Sequence, residues 1–276
     1  MLPLPDILIW GALALATLLC LARQRRPGFL LLGVALLLAL WLARITPTAL
    51  LVTLAALLLA WRLPSLHGHG RTVAWGALLT WAVALTLHLI PGFSNLKVLD
   101  QALAGPASVP FNMYLNLDKP LLLFGLLLAC PTLLGKGGSI RWRPLALLLL
   151  PLAALLVIAW QLGALKPEVG LPHWWWLFAL NNLLFTCVAE EALFRGAIQQ
   201  GLAERYRPWI GIVVAASLFG AGHLAGGALL ALFATLAGIC YGLALQLSGR
   251  LTVAILLHFA FNFAHLALFT YPLARA

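Results

Sequence analysis

The sequence predicts an all-α, polytopic integral membrane protein with eight to ten transmembrane helices. Of its 276 residues 63% are hydrophobic and 9% charged, too few charges to cover an ordinary water-facing surface. Leu/Ala/Val runs of near-bilayer length recur along the whole chain. The basic residues gather in the short connections between these runs. The net charge of +10 therefore reads as a topology signal, and no nucleic-acid partner is expected.

Charged and Pro/Gly-rich breaks divide the chain into candidate helices at 7–22, 28–43, 47–61, 73–90, 120–134, 144–160, 173–200, 209–224, 228–247 and 251–270. The first starts almost at Met1 without a basic leader, so a spanning helix is expected there and not a cleaved signal. Arg23, Arg25 and Arg26 end it, and Arg44 separates the second from the third. These two also fit a re-entrant pair, which sets the lower count. The fourth follows a His/Gly stretch and Arg71. After it, Pro91–Pro120 lacks strong periodicity and exceeds what a connection needs; an ordered extracytoplasmic loop is expected, with covering a site as the alternative. Lys136, Arg141 and Arg143 divide the fifth helix from the sixth, and HWWWLF (173–178) gives the seventh an interfacial aromatic belt. Arg205 with Arg207, Gly226 with Gly227, and Gly249 with Arg250 set off the last three.

Counted over ten spans, one set of loops holds eleven Lys and Arg residues, among them Arg25, Lys136, Arg205 and Arg250, and the other holds five, among them Lys166 and Arg275. The richer set is expected in the cytoplasm, with both termini outside. No internal repeat is evident. The chain reads as one membrane domain, with N-terminal helices and the 91–120 loop in 1–170 and a C-terminal core in 171–276. Cys20, Cys130, Cys187 and Cys240 lie in apolar segments without metal-type spacing and read as packing residues.

Within the seventh helix stands CVAEEALFRGAIQQ (187–200), which spends two of the chain's seven acidic residues side by side. An ionised carboxylate in hydrocarbon costs about 2.5–3.5 kcal/mol on insertion scales, so intramembrane charge marks a functional site by default. Arg195 lies one turn after Glu191 and can neutralise it. Glu190 points about 100° away and must find its partner on another helix or in a water-filled cavity. Phe219 and His223 share a face of the eighth helix, and His258 and Asn262 a face of the tenth. At about 1.5 Å per residue these polar groups fall at similar depths, about 12–22 Å in. Gly211 with Ala215 and Gly238 with Gly242 have the spacing that lets helix backbones touch. His265 reads as interfacial or packing, while His67, His69, His88 and His173 carry no signal.

The order Glu-Glu-x-x-x-Arg (190–195), Phe-x-x-x-His (219–223) and His-x-x-x-Asn (258–262) resembles the CPBP family of intramembrane proteases (Abi, or CAAX protease and bacteriocin-processing), which includes the Rce1-type enzymes. The resemblance covers about residues 173–270. It implies peptide hydrolysis inside the bilayer by a glutamate-activated water, with Glu190 as general base assisted by His223. It further implies that His258 and Asn262 hold the oxyanion, and that Glu191, Arg195 and Phe219 support the site. It also implies a membrane-tethered or lipid-modified protein or peptide as substrate, and a bacterial cytoplasmic membrane as location. Independently of the resemblance, hydrolysis needs a base poised near the working pH, which burial of a carboxylate favours, and donors aimed at the forming oxyanion.

No cofactor is required on this reading. Glu190, His223 and His258 would be the ligands if zinc bound, but the sequence has no His-Glu-x-x-His helix. The rival from another class is a non-catalytic membrane protein, a bacteriocin self-immunity factor or a proton- or ion-coupled transporter. Against a transporter, the polar residues crowd into the C-terminal third and show no symmetric halves.

Overall fold

The computed structural model describes residues 4–275. Among them are ten principal helices: α1 (Leu4–Leu21), α2 (Arg25–Trp41), α3 (Pro47–Arg62), α4 (Gly68–Thr86), α5 (Leu121–Ala129), α6 (Trp142–Gln161), α7 (Trp175–Arg205), α8 (Pro208–Ala221), α9 (Ala228–Ser248) and α10 (Leu251–Leu268). The described residues are all-α apart from one small two-stranded sheet. Five stretches, Pro47–Ser65, α6, α7, α9 and α10, are long and apolar enough to cross a membrane, and Pro5–Leu21 and α8 are shorter apolar helices.

The chain divides into two compact units. One runs to Val98 and takes in Tyr114–Leu133 and Leu184–Ala189; the other holds Leu99–Met113, Leu134–Leu183 and the described residues from Glu190 onward.

In the first unit α1 and α2 approach closely at Gly28, where a Cβ would lie 2.5 Å from Cys20 Sγ. Cys20 is thus a packing residue. Asp6, in the first turn of α1, accepts a two-pronged pair of hydrogen bonds from Arg44 Nε and Nη2, both 2.8 Å. The hydrogen bond to Asp6 raises the Arg44 guanidinium above its ordinary range, so it stays charged at any working pH. Thr46 caps α3 by accepting from Ala49 N, with Pro47 in the first turn.

The Pro91–Pro120 stretch is more ordered than its weak periodicity suggests. It carries two paired strands, β1 (Leu96–Ala102) and β2 (Phe111–Leu115). In β2, Met113 and Leu115 are buried while Asn112 and Tyr114 are exposed, the alternation of a half-buried strand.

The second unit carries the motif residues. At one end α9 closes on Gly249 at φ +65, and the segment entering α6 docks there through Gly137 N to Gly249 O (3.0 Å) and Leu251 N to Leu134 O (3.1 Å). At the other end the Glu168 carboxylate accepts from Ala107 N (2.8 Å) and Ser108 Oγ (2.6 Å), and Val109 N donates to Leu273 O. Tyr271, beyond the end of α10, packs edge to face against Phe178 of α7 and against Phe111.

Candidate active site

Helix α7 is not a uniform α-helix. Asn182–Cys187 and Ala192–Gln199 are wound as π-helix, and between them stand the four α-helical residues Val188–Glu191. Hydrogen bonding from i to i+5 widens the turn and re-aims the side chains, a distortion common at functional sites. Here it brackets the two glutamates. Glu191 and Arg195 are fully buried and paired, Oε1 to Nη1 at 3.0 Å, while the Glu190 side chain keeps 12% of its surface exposed.

Helix α10 supplies the group that meets both acids. His258 Nδ1 lies 2.9 Å from Glu191 Oε1, and its Nε2 lies 3.9 Å from Glu190 Oε2. The ring is fixed on its faces as well, stacked on Tyr241 (4.5 Å between centroids, 15° between planes) and edge-on to Phe219 at 5.6 Å. One turn along α10, Asn262 Nδ2 donates to Asn182 Oδ1 at 3.2 Å.

Helix α9 accommodates the cation. Arg195 Nη2 donates to Gly238 O at 2.9 Å, and its guanidinium lies over Phe219 (4.5 Å) and beside Tyr241 (5.2 Å). One turn further, Gln199 Nε2 donates to Gly242 O at 2.9 Å. A Cβ at Gly238 would stand 2.8 Å from Arg195 Nη2, and one at Gly242 2.7 Å from Gln199 Oε1. The small-residue spacing of α9 therefore admits polar side chains from α7 and offers them carbonyls. Gly211 of α8 does the same for backbone, since its Cβ would meet Gln199 O at 2.5 Å.

His223 follows the end of α8. Its Nδ1 lies 2.8 Å from Phe219 O, and because a carbonyl only accepts, Nδ1 carries the proton. Its ring packs on Phe219 at 4.7 Å. Phe219 thus touches His223, His258 and Arg195 together, which explains why an aromatic stands four residues before His223.

Among the predicted site residues, Glu190, Glu191, Arg195, Phe219 and His258 come together around the His258 ring. His223 joins them through Phe219, and Asn262 stands one turn from His258 with Asn182. Three further residues, Asn182, Gln199 and Tyr241, were missed. Asn182 and Gln199 are polar residues within an apolar span, the very signal that singled out Glu190, and Gln199 continues the Glu191–Arg195 spacing by four. Tyr241 gave no comparable sign. His265 packs on Tyr271 at 5.0 Å, its Nε2 3.1 Å from Thr270 O. Among the described residues, no three His, Cys, Asp or Glu side chains are grouped to hold a metal ion.

Residues 172–264, which contain every motif residue, match the family described as type II CAAX prenyl endopeptidase Rce1-like. This segment is Rce1-like. The segment is thus similar to CAAX-type proteases, within a chain that carries five helices long and apolar enough to cross a membrane. No curated protein and no solved structure matches the chain.

Proposed function

We propose that the protein is an intramembrane endopeptidase that hydrolyses a peptide bond of a membrane-tethered or lipid-modified protein or peptide, with a water activated by Glu190. The observation that carries this reading is the single imidazole of His258, set between the two adjacent glutamates of α7 in a buried site. Glu190, the more exposed of the two acids, removes a proton from water as its oxygen attacks the scissile carbonyl carbon. The carbonyl oxygen becomes the oxyanion, which the His258 ring and the Asn262 amide stabilise by hydrogen bonds. The C–N bond then breaks, and the proton held by Glu190 passes to the leaving amine. His223 assists Glu190 through Nε2, the ring nitrogen not used on Phe219 O.

Glu191 and Arg195 are positioning residues. Glu191 fixes the ring of His258 through Nδ1, and Arg195 balances the charge of Glu191 while Gly238 O and two aromatic faces hold the guanidinium. The setting is a bacterial cytoplasmic membrane, and the chemistry needs no cofactor.

Comparison of protein termini in membranes carrying the wild-type protein and membranes carrying Glu190→Gln tests the proposal. New termini in membrane-associated proteins are expected with the wild type alone. Identical sets of termini would reject proteolysis in favour of a non-catalytic role.

A further inference from the structure

At the end of α7 that carries Arg205, the second unit contains a cavity of about 310 Å³ whose lining includes Lys136, Gln199, Gln200, Glu204 and Gln246 beside apolar residues such as Leu245 and Pro208. Lys136 and Glu204 pair across it at 3.1 Å, and both are more than half exposed, so this end opens to water. Its inner wall is Gln199, only 4% exposed. From there a line of side chains spaced by four, Gln199, Arg195 and Glu191, runs up α7 to the position next to Glu190.

Each of the three uses its other polar atoms on protein partners and keeps one buried atom with none: Gln199 Oε1, Arg195 Nε and Glu191 Oε2. A buried polar atom without a partner costs about 1–3 kcal/mol, and here three follow one another. Their characters alternate as acceptor, donor, acceptor. Residues four apart on an α-helix are separated by about 6 Å along its axis, and by less where the helix is wound as π over Ala192–Gln199, within the span of two hydrogen bonds meeting at one water. The cavity itself has room for several waters at about 30 Å³ each.

We infer that the cavity and the column Gln199–Arg195–Glu191 form a water inlet along α7, feeding the catalytic site from the end of the helix and independently of the route taken by substrate. The inference rests on the hydrolytic reading above, because hydrolysis consumes one water per bond cut. Water is the ligand indicated, since the fixed positive charge of Arg195 repels hydronium while its Nε donates to a neutral oxygen. Gln199 is then the residue that admits water. Gly242, whose hydrogen leaves Gln199 Oε1 its space, keeps the passage open.

Pulsed hydroxyl-radical labelling of the intact protein in lipid nanodiscs tests this without reference to activity, because radicals form only where water is. Phe219 and Tyr241 flank Arg195 and report on the column, fully buried Phe124 reports on fold integrity, and exposed Trp209 calibrates the dose. In the wild type, Phe219 and Tyr241 are expected to label well above Phe124. Gln199→Leu, and separately Gly242→Ala, should lower both to the level of Phe124 while Phe124 itself stays protected. Wild-type labelling of both rings no higher than Phe124 would overturn the inlet, as would unchanged labelling in either folded variant. Loss of labelling in the variants of a protein that cuts nothing would leave the inlet standing and defeat only the protease reading.

Discussion

Glu190 and Glu191 are adjacent and chemically identical, yet their surroundings separate their duties. Glu191 is fully buried and engaged by Arg195 and by His258 Nδ1, whereas Glu190 keeps some exposure and faces His258 Nε2. Glu191→Gln should therefore act on stability. It leaves Arg195 charged, buried and without its carboxylate, a loss of about 3–5 kcal/mol for a broken buried pair, read as a lowered midpoint of thermal unfolding in detergent. Glu190→Gln should leave that midpoint nearly unchanged. Phe219→Leu removes the ring over the guanidinium, and a fall in stability of about 1–2 kcal/mol is expected from lost cation–π and aromatic contact; the same melts measure it. These residues were visible in the sequence because charge and imidazole are rare in an apolar helix. Their partners were not, because periodicity assigns each residue to a face of its own helix and says nothing of which neighbour it meets. Hence the pairing of His258 with Glu191, and the part played by Asn182 and Tyr241, emerged only with the packing.

At the scale of elements, the site depends on the fit of α7 against α9. Two side chains of α7 reach two glycine carbonyls of α9 at matching four-residue intervals, Arg195 to Gly238 and Gln199 to Gly242. Gly238→Ala should push against Arg195 Nη2 and the backbone of Ala216, which stands 3.3 Å from the added carbon. A cost of about 1–3 kcal/mol for overpacking is expected, with lowered cleavage through displaced Arg195; parallel melts and rate assays check it. The glycine spacing was legible as a close helix approach, but not as a receptacle for polar groups. The two π segments of α7 left no trace in the sequence at all, since a widened turn disturbs hydrophobic periodicity too little to be seen over six or eight residues.

On the scale of the molecule, the ten helices of the described residues follow the apolar runs, and five stretches are long and apolar enough to cross a membrane. The β1–β2 pair was obscured by its brevity: only the five residues of β2 show clean alternation. Within the second unit the loops sort into two ends. Lys136 meets Glu204 near the Gly137–Gly249 contact, whereas Lys166 Nζ donates to Arg275 O at the end where Glu168 binds Ser108. This is the same division that separated the two sets of basic loops. Topology reporters fused after Glu204 and within 163–172 should therefore report opposite sides of the membrane, cytoplasmic for the first; the same side for both would refute the separation of the two ends, and an external signal after Glu204 the expected orientation. Glu168→Ala should loosen the end where Ser108 binds by about 2–3 kcal/mol through loss of two hydrogen bonds to a charged group, read as faster amide exchange at Ala107 and Ser108.

The most direct test of a glutamate-activated water is the rate at which purified protein in nanodiscs cuts a membrane-tethered peptide, identified from the new termini, in the wild type and in folded Glu190→Gln. Loss of the general base should lower kcat by about 10²–10⁴-fold with thermal stability retained. A Glu190→Gln protein that cuts at the wild-type rate would contradict it.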